Sequence, residues 1–112
     1  MKSLSTVLIT FLSLQFGFSQ INISGQISDK NQTPLEFVNV LLLNHSDSAL
    51  IKGFVTDSEG KFQFENVQNG EYVIGAMMLG YSDFYSKKIT VLGSKIELPK
   101  IILNENSTQL DV

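Results

Sequence analysis

The chain has no cysteine and a single histidine, His45, in 112 residues. Without thiols there is no disulfide framework, no thiolate metal site and no cysteine nucleophile, so packing alone must hold the fold. A lone imidazole excludes a zinc site built on two or three histidines and leaves only His45 for a serine-type triad. His45 sits in a polar run with Asn44, Ser46 and Asp47, the setting of a solvated loop residue. No basic block is present either. Eight basic and eleven acidic residues are scattered along the chain and give a net charge of −3, with a pI near 4.9. Such a surface does not neutralise a row of phosphates, and nucleic acid is not an expected partner. Beyond the N-terminal twenty or so residues, no stretch of a dozen carries the i, i+3, i+4, i+7 spacing of a surface helix.

What is present fits one small domain, since a chain of this length with 43% hydrophobic residues can bury one core but not two. Met1-Lys2 gives a charged start, Leu4 to Phe18 is mostly apolar, and Gly17-Phe18-Ser19 supplies small residues where a signal peptidase reads. Residues 1–19 are therefore expected to be a cleaved signal peptide, with the mature chain starting at Gln20. The apolar run is shorter than the ~20 residues needed to span a bilayer. No cysteine near the cleavage point could accept a lipoprotein anchor. The expected division is residues 1–19 as signal, 20–104 as the domain and 105–112 as a linker.

The mature chain alternates short apolar runs with turn formers and predicts an all-β fold. The expected strands are Asn22 to Ser28, Glu36 to Leu43, Ala49 to Thr56, Lys61 to Glu65, Glu71 to Leu79, Asp83 to Val91 and Lys95 to Leu103. Leu41-Leu42-Leu43 reads as buried on both faces, and Pro99 as an edge or bulge residue. The most informative stretch is Asp57 to Tyr72. Asp57-Ser58-Glu59-Gly60 forms a tight turn, read here as a hairpin, and Phe62 and Phe64 then share one face while Lys61, Gln63 and Glu65 share the other. Asn69-Gly70 supplies the next turn. Seven strands at this spacing predict an antiparallel two-sheet sandwich.

Five segments carry a family resemblance: Ile23-Ser24-Gly25-Gln26-Ile27, Pro34-Leu35-Glu36-Phe37-Val38-Asn39-Val40, Asp57 to Phe62, Asn69-Gly70-Glu71-Tyr72 and Leu79-Gly80-Tyr81. Together they resemble the carboxypeptidase regulatory-like domain over about Ile21 to Leu103. The resemblance implies a seven-stranded transthyretin-like sandwich. Asp47 to Gly53 is similar to the variant at the N-terminus of TonB-dependent outer-membrane receptors and related β-barrel proteins of Bacteroidetes, and Asn106 to Val112 to the stretch that leads into their plug. It implies a non-catalytic accessory domain at the periplasmic side of the outer membrane, in a nutrient-uptake protein. Its partners would be the plug and barrel of the same longer chain, or a periplasmic protein joined by strand addition. The alternative is a stand-alone exported binding or adhesion module, periplasmic or secreted, that holds a carbohydrate or protein.

No catalytic residue, cofactor site or metal site is assigned. Asp57, Glu59 and Asn66 carry oxygens but lack the alternating acids of a calcium loop, and turn formation accounts for Asp57 and Gly60. The chain also lacks the several histidines and the tyrosine-containing C-terminal motif of transthyretin-like hydrolases. Among the aromatics, Tyr81, Phe84 and Tyr85 follow a glycine break and alternate poorly, which makes them the candidate exposed binding surface. Asn-X-Ser/Thr triplets begin at Asn22, Asn31, Asn44 and Asn106, and Asp47-Ser48-Ala49 is similar to a bacterial O-glycosylation acceptor. Either modification would register as added mass.

Overall fold

Alternating burial organises the structure, a computed structural model that describes residues 21–106. The expected signal peptide and residues 107–112 of the expected linker lie outside the described residues. Nine strands follow in order: β1 (Ile23–Asp29), β2 (Asn39–Asn44), β3 (Leu50–Val55), β4 (Lys61–Phe64), β5 (Gly70–Met77), β6 (Phe84–Tyr85), β7 (Ile89–Val91), β8 (Ile96–Glu97) and β9 (Ile101–Leu103). One sheet runs β4-β1-β8 with β9 also on β1. The other runs β3-β2-β5-β6 with β7 also on β5. No helix is present among the described residues, and the all-β sandwich expected from the sequence is what forms.

The core lies between the sheets. From the first come Ile23, Ile27, Phe62, Phe64, Ile101 and Leu103, and from the second Val40, Leu42, Tyr72, Ile74, Ala76 and Val91. Each set follows the period of two that a strand imposes. Phe62 and Phe64 tilt together at 5.9 Å between ring centroids, and Phe54 meets Phe64 edge-on at 6.3 Å.

Several expectations need correction. Expected strands six and seven are each split, at Ser86-Lys87-Lys88 and at Leu98-Pro99-Lys100. Proline has no N–H for a ladder, and the two lysines keep their ammonium groups in water. The sandwich is not wholly antiparallel, because β1 pairs in parallel with β8 (Ile23↔Ile96) and β9 (Ile27↔Ile101). The chain reaches that side of β1 by crossing from the other sheet, so no tight hairpin dictates an antiparallel approach. Leu41 and Leu43 are half-buried, not buried like Leu42. Finally, β2 begins at Asn39, because Glu36 and Phe37 form a turn in which Phe37 has φ 66°.

The turn at Asp57 to Gly60 is present but does not close a hairpin, since β3 pairs with β2 and β4 with β1. It is a corner between sheets. Asp57 Oδ1 accepts hydrogen bonds from the backbone N–H of Glu59 and Lys61, both at 2.9 Å. These two bonds, Lys61 first, hold the Asp57 carboxyl below the usual carboxylate range. Gly60 has φ 73°, and a Cβ there would stand 2.3 Å from the carbonyl oxygen of Ile27. Only glycine allows this approach, in which Ile27 N–H donates to Gly60 O at 2.8 Å and docks the corner on β1. Beside it, the buried Thr56 hydroxyl donates to Leu35 O at 2.7 Å and accepts from Val38 N–H at 2.9 Å. One side chain thereby fixes the segment that leads into β2.

Candidate functional site

The groups able to do chemistry are dispersed. The side chains of His45 and Glu71 are both about half-exposed, with His45 Nδ1 4.0 Å from Glu71 Oε1, and Lys88 lies 3.4 Å from the other carboxylate oxygen. Main chain sets this arrangement, because His45 N–H donates to Glu71 O at 3.0 Å where the end of β2 meets the start of β5. Ser46 is the nearest hydroxyl in sequence, and it bonds Asn44 Oδ1 at 3.1 Å within its own turn. Asp57 and Glu59 are engaged in the corner described above, and no group of three or more metal-ligating side chains occurs among the described residues. The loop holding Asp47-Ser48-Ala49 is exposed, with Ser48 at φ 62° and Asp47 Oδ1 accepting from Ala49 N–H at 3.0 Å.

The three aromatics singled out from the sequence do not form one platform. Phe84 and Tyr85 are neighbours in β6 and so point to opposite faces. Phe84 packs half-buried against the core, as does Tyr81, which is drawn in by an antiparallel bridge to Glu105. Tyr85 stands on the outer face, 55% exposed, and its ring covers Gly75, where a Cβ would meet it at 3.1 Å. Only Tyr85 belongs to an open surface.

That surface is the outer face of the five-stranded sheet. The residues opposite the core are Leu41 and Leu43 in β2, Val55 in β3, Val73 and Met77 in β5, and Tyr85 in β6. Asn39 and Glu71 mark its ends. A solvated face of an antiparallel sheet normally alternates to polar residues, so the apolar character of this one makes it the candidate interaction surface. It continues onto β3, an edge strand in which Leu50 and Val55 are exposed on this face and Ile51 is exposed between Leu50 and Lys52, while Phe54 turns to the core side. Its register against β2 shifts at Leu42/Leu43 and leaves Ile51 as the extra, bulged residue. Charge does little to blunt this edge, since Lys52 turns to the Glu65 backbone carbonyl.

Beyond the end of the same sheet stand Phe37 and Leu79, 68% and 97% exposed. The last described residue lies there, with Asn106 N–H donating to Gly80 O at 2.9 Å. Residues 105 and 106, expected to open a linker, are thus tied to the sandwich. Sequence reasoning missed the outer face, although one signal was available. The odd positions of β2 and β5 carry Leu41, Leu43, Val73 and Met77 where polar residues would be expected.

Comparison with known proteins bears on this geometry. The profile described as CarboxypepD_reg-like domain matches residues 23–112. Colossin-A of Dictyostelium discoideum is 37% identical over 59 residues, which is 53% of this chain and 0% of that protein to the nearest per cent. Among solved structures, BcpA, the major pilin subunit of Bacillus cereus, superimposes with a TM-score of 0.64 at 15% identity over 78% of this chain and 29% of the pilin. The Bacillus anthracis TIE protein gives 0.64 at 14% identity over 77% of this chain and 17% of that one. Catechol 1,2-dioxygenase from Pseudomonas arvilla gives 0.61 at 11% identity over 80% and 53%. At such identities these structures share the sandwich fold alone, and the chain spans less than two thirds of the length of each of these four proteins.

Proposed function

Because the chain belongs to the CarboxypepD_reg-like domain family, we propose that it is a non-catalytic N-terminal accessory domain of an outer-membrane TonB-dependent receptor or related β-barrel protein of nutrient uptake. In this reading a plug and barrel follow in a longer chain and the domain lies on the periplasmic side. The observation that carries it is the family match across residues 23–112. The domain acts by contact, through the apolar outer face and the β3 edge. An added strand would gain main-chain hydrogen bonds along β3, and the side chains around Ile51 would select its sequence.

The test is to read the gene past the codon for Val112 and fractionate the product. A frame that continues into amphipathic strands, with the protein in the outer-membrane fraction, supports the reading. A stop codon with a soluble product overturns it. That outcome favours the second reading, a stand-alone exported module, for which the same outer face, apolar and carrying Tyr85, would hold a protein or carbohydrate.

A further inference from the structure

The two open sides of the sandwich differ. On one, the corner at Asp57 to Gly60 and the reach of Lys52 to the Glu65 carbonyl close the gap between β3 and β4. On the other, β6 and β7 of one sheet face β8 and β9 of the next across a cleft of about 480 Å³. Its walls are apolar, with Phe84 and Ile89 on one side and Leu98 and Ile101 on the other, and all four pack against the core. No aspartate or glutamate among the described residues lines it, although the chain as a whole is acidic, and three of the chain's eight basic residues, Lys87, Lys88 and Lys100, line it. Lys88 is drawn to Glu71 at 3.4 Å. Lys87 and Lys100 have no carboxylate within 4 Å among the described residues, unlike Lys61 and Lys95.

From this combination we infer that the cleft binds a single-chain amphiphile with an anionic head, of the class of a long-chain carboxylate. The apolar walls take the chain, and the ammonium groups of Lys87 and Lys100, each on a flexible apolar stem that lines the cleft, meet the head. A compact anion would leave the walls unused, and a neutral apolar molecule would leave the two cations unused. The volume falls within the ~300–1,000 Å³ of small-molecule sites, which are mostly apolar with a few directing polar groups. A peptide added as a strand fits less well. The bordering strands are two and three residues long, and Lys87-Lys88 and Pro99 interrupt them before a ladder could extend. The inference is independent of the role proposed above, since it concerns the opposite side of the sandwich from β3.

The test is a methyl NMR titration of the whole chain with dodecanoate below its micelle concentration. Saturable shifts are expected at Ile89 and Ile101, with none at Ile51 on β3. Dodecyltrimethylammonium, with the same tail and opposite charge, should bind about tenfold or more weakly, and the double variant Lys87→Glu/Lys100→Glu should weaken dodecanoate by a similar factor. Lys87→Gln/Lys100→Gln keeps much of each stem while removing the charge and should weaken it severalfold. Absence of shifts at Ile89 and Ile101 would overturn the inference. So would equal affinity for the two amphiphiles, or an affinity indifferent to both double variants.

Discussion

Thr56 and Asp57 stand side by side in the sequence and show what a single residue can determine here. The Thr56 hydroxyl satisfies two backbone groups, so Thr56→Val, similar in shape, should cost about 2–4 kcal/mol by leaving Leu35 O and Val38 N–H buried without a partner. Urea unfolding would measure it, and a loss under 1 kcal/mol would mean that water replaces the hydroxyl. Asp57 acts through charge. Its folded pKa is depressed, so the stability it contributes is complete above the ordinary carboxylate range of about 4 and disappears as pH falls through the lower folded value. Thermal midpoints recorded from neutral to acid pH should therefore fall below that range in the parent. They should fall less in Asp57→Asn, which keeps a turn-forming side chain but no charge. Equal slopes would remove Asp57 from the acid sensitivity. Asp57 was legible in the sequence because its partners lie two and four positions away. Thr56 was not, because its partners lie 18 and 21 positions away and nothing local marks a threonine as buried.

Among the elements, β3 has the most exposed apolar surface and the least protection. Ile51→Lys places a charge at the bulge of the edge, where side chains are open to solvent, and should leave stability within about 0.5 kcal/mol of the parent. It should also abolish capture of any strand-adding partner and lower self-association at high concentration, as read by analytical ultracentrifugation. Partner capture unchanged by the substitution would move the docking site off this edge. Strand positions were largely legible, since Phe62/Phe64 and Val40/Leu42 keep the period of two. Sheet membership was not. A turn sequence such as Asp-Ser-Glu-Gly records that the chain reverses, whereas whether the next strand stays in the sheet is decided by contacts with β1, more than thirty residues earlier. Tyr81, Phe84 and Tyr85 show the same limit. Their spacing marked an irregular segment, but only the pairing Ala76↔Phe84 and Gly75↔Tyr85 decides which ring faces water.

In the whole molecule, β1 joins the beginning of the domain to its end. Truncation before Pro99 removes β9 and with it two core residues, Ile101 and Leu103. The remaining chain should show no cooperative thermal transition by near-ultraviolet circular dichroism, because one of β1's parallel partners and a wall of the core are gone together. A retained sharp transition would make β9 an accessory strand. The parallel pairing has a further consequence for timing. β1 is made early and needs β4 on one flank and β8 and β9 on the other. A chain that emerges from a ribosome or a pore N-terminus first therefore has its central strand in hand but cannot complete the sheet until Leu103 has followed it. Contacts so distant along the chain form slowly, and nearly the whole domain must be out before any of it is secure. The topology thus favours a long threadable interval followed by one late, collective closure.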